Sequence, residues 1–122
     1  MLFFGYSIGE TFAINNSEEF LKIASLSPAL EKGIVNKDPI LRIRFTEELD
    51  ENCVKPYNFI IKKGNFRIPA KIAYNNEKKT ISIAPNEELS KDTNYSLHIN
   101  MDIYSKDNRR MKENYTQNFV IE

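Results

Sequence analysis

Few residues in this chain are of a type that does chemistry. His98 is the single histidine and Cys53 the single cysteine among 122 residues, and two acidic pairs, Glu47-Glu48 and Glu87-Glu88, complete the candidates for proton transfer or metal binding. A nucleophilic triad or a zinc centre needs partners that converge on the histidine. His98 instead falls on the outward phase of an apolar run, Tyr95, Leu97, Ile99 and Met101. Cys53 lies in a separate turn whose nearest base is Lys55, with no helix start placed to lower its pKa. The expectation is a surface histidine and a small, half-buried packing cysteine. The acidic pairs sit in turns. A calcium loop spaces oxygen ligands at alternate positions around a glycine, and neither turn does so. Gly5-Tyr6-Ser7-Ile8-Gly9 lacks the lysine of a phosphate loop. The sequence therefore points to no catalytic residue, no metal ligand and no cofactor.

Charge adds exclusions of its own. The 17 acidic and 17 basic residues cancel to a net charge of zero, so no global field gathers nucleic acid or an anionic membrane. Lys106, Arg109, Arg110 and Lys112 form the notable basic concentration, but no aromatic residues interleave with them to stack bases, and a nucleic-acid partner is not expected. A lone cysteine excludes an intrachain disulfide. The run MLFFGYSIGET has no Lys or Arg before Lys22 and is interrupted by Glu10, too early for a signal peptide or a membrane span. On this reading the chain stays in the cytoplasm or leaves by assembly, by lysis or through a leader outside this sequence. Asn15-Asn16-Ser17, Asn94-Tyr95-Ser96 and Asn114-Tyr115-Thr116 match the glycan acceptor pattern, and no role is assigned to them.

The elements that would carry these residues are short strands. Leu41, Ile43 and Phe45 alternate with Arg42 and Arg44, the period of a half-buried strand. Turn signals recur closely after it: Gly64-Asn65, Asn75-Asn76, Pro85-Asn86, Asp92 and Asp107-Asn108. Regular spacing of this kind favours an all-β sandwich or barrel. Strands are predicted over 20–26, 40–45, 57–62, 67–74, 79–84, 94–101 and 115–121. Alternation turns the following inward: Leu21 and Ile23; Leu41, Ile43 and Phe45; Tyr57, Phe59 and Ile61; Ile68, Ala70, Ile72 and Tyr74; Ile81 and Ile83; Tyr95, Leu97, Ile99 and Met101; Phe119 and Ile121. Asn75-Asn76 is the expected hairpin tip with positive φ. Residues 46–54 lack alternation and read as a loop with one short helical turn. SEEFLKIAS fits a helix capped by Ser17, although the sandwich context favours a first strand there.

These segments together resemble the bacterial immunoglobulin-like domain of surface-layer proteins and many cell-envelope or phage-associated proteins, over about residues 20–121. LKIASLSPALEKGIVNKDPILRIRFTEELD is similar to the family's first strand, Ser-Pro turn, Gly33-Ile34 step and following strand, and KKTISIAPNEELSKDTNYSLHI to its strand, Pro, leucine turn, Thr-x-Tyr and long strand. The resemblance implies an all-β, immunoglobulin-like two-sheet β-sandwich of about seven strands. Within it Phe45, Leu89, Tyr95, Leu97 and Phe119 are structural, Leu89 capping one end and Tyr95 forming a tyrosine corner. The chain departs from the pattern at Ser105-Lys106-Asp107-Asn108. Asn108 replaces a glycine by tolerating the left-handed region, while Ser105 in place of Asp weakens the case for a metal or tight polar loop.

The implied organisation is an N-terminal extension, 1–19, and a sandwich, 20–122. Leu2, Phe3, Phe4, Tyr6, Ile8 and Phe12, with Ile14, are too apolar for an idle tail; they either pack on the module as added strands or dock on a neighbouring chain. The resemblance implies a non-enzymatic structural or adhesive module with protein partners, copies of itself or a larger particle among them. A phage or phage-like particle leads, followed by a cell-envelope or surface-layer setting. A carbohydrate-binding module is disfavoured by the lack of Trp and by aromatics that mostly alternate inward.

Overall fold

The computed structural model describes residues 19–34 and 38–122. Eight strands are formed among them: β1 (Ile23–Ser27), β2 (Leu41–Phe45), β3 (Phe59–Lys63), β4 (Phe66–Ile68), β5 (Ala70–Asn75), β6 (Thr80–Pro85), β7 (Asn94–Ile99) and β8 (Tyr115–Val120). They make two four-stranded antiparallel sheets, β1-β2-β6-β5 and β4-β3-β7-β8. Period-two alternation decides which face each strand buries. Leu41, Ile43 and Phe45 are fully buried while Arg42 and Arg44 are exposed, and Ile81, Ile83, Phe59, Ile61, Leu97 and Ile99 close the same interior. Phe45 of one sheet meets Phe59 of the other edge to face, with ring centroids 6.5 Å apart. This is an immunoglobulin-like sandwich.

The strands depart from the sequence reading where proline and asparagine intervene. The single strand expected over 67–74 is two, β4 and β5, in different sheets. Pro69 between them has no N–H for either ladder, and its carbonyl instead accepts from Asn86 N–H at 2.9 Å. Tyr57, expected inward, is 59% exposed; Pro56 starts a 3₁₀ turn, Pro56–Asn58, that precedes β3 and breaks the alternation. Met101, also expected inward, is 39% exposed because β7 ends at Ile99 and the Asn100 side chain accepts from Asp102 N–H at 2.9 Å, turning the chain. Ile68, Ala70, Ile72 and Tyr74 pack against the core but are only half-buried, on edge strands. The β5–β6 hairpin takes its positive φ at Lys79 (55°), not at Asn75 or Asn76. Asn75 Oδ1 accepts from Lys78 N–H at 3.0 Å, so the asparagine organises the turn and the left-handed residue falls at its far end.

Ser17 lies outside the described residues. The segment after it forms β1, not a helix. Residues 46–54 contain the anticipated helical turn, Glu51–Cys53, and Asn108 has φ 63°. Gly33 (φ 83°) bends the chain so that Ile34 bridges Ile121 in parallel, with Ile34 N–H donating to Val120 and Glu122 N–H to Ile34.

At the end of the sandwich near Leu89, Tyr95 stacks on Phe119 at 5.7 Å and its Oη accepts from Ser90 N–H at 2.7 Å. Tyr95→Phe removes that acceptor and leaves the ring packing. It should cost about 1–2 kcal/mol in chemical denaturation, with Tyr95→Ala far more damaging. A Phe variant equal to the parent would remove the tyrosine-corner role.

Candidate functional site

Residues 46–58 carry the chain from one sheet to the other, and residues 100–114 join β7 to β8. The two connections meet at one end of the sandwich and engage Cys53 and the Glu47-Glu48 pair. Leu49 bridges Ser105. Leu49 N–H donates to Tyr74 Oη (2.8 Å), Asp50 N–H to Tyr104 C=O (3.0 Å) and Lys106 N–H to Glu48 C=O (3.0 Å). Asn58, 5% exposed, donates from Nδ2 to Cys53 C=O at 2.8 Å, and its own carbonyl accepts from Asn100 N–H at 3.0 Å. Burial leads the forces that push the Tyr74 hydroxyl pKa upward, so it stays a neutral phenol and acceptor.

Cys53 is buried and belongs to this network. Its Sγ donates to Asp50 C=O at 3.0 Å, and burial is the leading cause of a raised thiol pKa. A thiol held neutral is a poor nucleophile. The Glu47-Glu48 pair is drawn apart: Glu47 pairs with Arg109 at 2.7 Å and Glu48 with Lys106 at 3.0 Å. Arg110 donates to Asp102 C=O at 2.8 Å and lies 5.2 Å above the Tyr104 ring. Three members of the basic cluster thus fasten one connection to the other or to themselves. That pairing was invisible in the sequence, since Glu47 and Arg109 are 62 residues apart. Glu87 and Glu88 are exposed.

Ser105 makes the tight polar loop that its replacement of Asp had argued against. It is 1% exposed, its Oγ accepts from Arg109 N–H at 3.1 Å, and its backbone bonds Asn108 and Arg109. One hydroxyl satisfies the loop because the left-handed Asn108 brings the Arg109 amide back over it.

His98 is half-buried on the outer face of the β4-β3-β7-β8 sheet. Its Nε2 is 2.7 Å from Ser96 Oγ and its Nδ1 3.3 Å from Thr116 Oγ1. A serine bonded to a histidine suggests nucleophilic catalysis, yet the position of an orienting carboxylate is held by a threonine. Ser96 also sits in mid-ladder between Lys62 and Asn118, where neighbouring N–H groups serve the sheet instead of an oxyanion. Burial first, and the Lys62 charge second, lower the His98 pKa below its ordinary 6.5.

Phe45, Leu89, Tyr95, Leu97 and Phe119 are all buried in the core. Leu2, Phe3, Phe4, Tyr6, Ile8 and Phe12 lie outside the described residues. An open, mostly apolar groove of about 560 Å³ runs between Phe20–Ile23 and Met111–Thr116, beside the point where the described chain begins. No group of three or more His, Cys, Asp or Glu able to hold a metal occurs among the described residues, and no helix among them is long and apolar enough to cross a membrane.

The sequence pattern described as the bacterial Ig-like domain matches residues 17–120. The chain belongs to this family. Solved structures with a similar fold include the N-terminal part of the bacterial S-layer protein SbsC (TM-score 0.62, 15% identity, 84% of this chain and 24% of that one). Alpha-2-macroglobulin from Escherichia coli, spanning domains MG0-NIE-MG1, is similar at TM-score 0.63 and 12% identity, covering 84% and 32%. PcoC, a methionine-rich copper resistance protein from Escherichia coli, is similar at TM-score 0.62 and 17% identity, covering 84% and 99%. At these identities the likeness is one of fold. The Ig-like chain spans 14% of the longer S-layer protein rSbsC(31-844). No curated protein matches the sequence.

The His98 environment makes stability pH-dependent with a definite sign. A depressed folded pKa means that, below 6.5, the unfolded chain binds the proton more readily than the folded one. The contribution is full above 6.5 and is lost as pH falls through the folded value. Denaturation between about pH 7.5 and 5 should show the parent losing stability on acidification relative to His98→Gln; parallel profiles would contradict this.

Proposed function

We propose that this Ig-like chain is a non-enzymatic structural or adhesive module of a larger surface assembly. One observation carries the reading. The side chains at the 46–58 and 100–114 end that would be expected to do chemistry are bonded into the connections that close the sandwich, which suits a rigid spacer better than a catalyst. A cell-envelope setting is supported by the S-layer protein among its structural neighbours. A phage particle, the leading expectation from sequence, draws no support from them. The copper-resistance neighbour is described as methionine-rich, whereas this chain has three methionines. A carbohydrate-binding role stays disfavoured, because Trp is absent from the sequence.

In this reading residues 20–122 are the module and residues 1–19 carry its contact with a neighbouring protein subunit, through Leu2, Phe3, Phe4, Tyr6, Ile8 and Phe12. Deleting residues 1–15 separates folding from assembly. The truncated chain should keep the circular dichroism and denaturation midpoint of a folded β-sandwich and should no longer fractionate with surface assemblies of the host. An unfolded truncation would place the segment in the core. A truncation that still assembles, or a full chain that never joins such an assembly, would overturn the proposal.

A further inference from the structure

The outer face of the β1-β2-β6-β5 sheet concentrates positive charge and hydroxyl groups in a chain whose net charge is zero. Register sets two parallel rows across it, Ser27-Arg42-Ser82 and Ser25-Arg44-Thr80. Asn75 and Lys78, at the β5–β6 hairpin, extend the second row, and Lys71 stands on the same face of β5. The rows line a shallow depression of about 260 Å³. No acidic residue lines it among the described residues; the nearest of these in sequence is Glu77, exposed at the hairpin tip.

The cations of this face are unengaged. The other arginine-rich region spends Arg109 on Glu47 and Arg110 on Asp102 and Tyr104. Arg42, Arg44, Lys71 and Lys78 have no side-chain ion pair or hydrogen bond among the described residues, and neither do the hydroxyls of Ser25, Ser27 and Ser82. Two like charges at i and i+2 on one strand, about 7 Å apart, repel each other without a counterion.

We propose that this face binds a phosphodiester polymer with a polyol or sugar backbone. Guanidinium forks match phosphate oxygens in pairs, and two arginines a strand repeat apart suit successive phosphates better than one isolated ion. The flanking serines both donate and accept, as a polyol requires. Among the described residues the face carries no aromatic side chain that would give a single-stranded nucleic acid a stacking platform. The site is independent of the assembly proposed above.

The test is calorimetric titration of the full chain with a glycerol-phosphate oligomer at low salt, beside inorganic phosphate, an oligothymidylate and a glutamate oligomer. The glycerol-phosphate oligomer should bind most tightly and weaken roughly ten-fold between 50 and 200 mM salt, as neutralising two or three phosphates requires. Arg42→Gln/Arg44→Gln, at exposed positions, should lose about ten-fold or more, and Ser82→Ala should lose less. Lys91→Gln/Lys112→Gln removes the same charge elsewhere and should bind like the parent. Equal loss in both double variants, no binding by the parent, or preference for free phosphate, oligothymidylate or the glutamate oligomer would each overturn the proposal.

Discussion

A β-sandwich buries its two inner faces against each other, but backbone passing over the ends has no ladder and must find partners elsewhere. Here that requirement governs most polar side chains of note. At one end Tyr74, Asn58, Cys53 and Ser105 supply the missing donors and acceptors, with the Glu47–Arg109 and Glu48–Lys106 pairs outside them. At the other, Tyr95 and the Ile34–Ile121 bridge do the same work. The exposed ion pairs add little to stability, because solvent screens them. The buried hydrogen bonds matter more, since an amide left unpaired inside the protein is costly.

Residues tied into the ends are engaged in closing the sandwich, and the described surface outside them is strand faces with shallow depressions and an open groove. Such surfaces suit recognition by area and charge. This explains how one architecture recurs in an S-layer protein, a macroglobulin and a copper resistance protein at identities of 12–17%: the interior is fixed by alternation, while the outer faces vary without cost to folding.

Much of the interior was legible in the sequence because period-two alternation is local. Leu41-Ile43-Phe45 and Tyr95-Leu97-Ile99 could be placed inward from spacing alone. Tyr57, Met101 and the split at Pro69 were misjudged because a turn residue overrode the alternation around it. Leu30 is buried from a short 3₁₀ turn and Ile34, Leu49, Ile103 and Met111 from the connections between strands, where no period exists to reveal them. The closing network was not legible at all, since its partners are separated by up to 62 residues and their approach is a property of topology. Ser105 shows the same limit: one residue type argued against a tight loop that backbone geometry then made.

The central claim, that the two connections form one locked end instead of two independent surface loops, is tested most directly by native-state amide hydrogen exchange. The amides of Leu49, Asp50, Ser105 and Lys106 should exchange as slowly as those of β2 and β7, and only through global unfolding. Rapid exchange at these four, while the strands remain protected, would contradict the account.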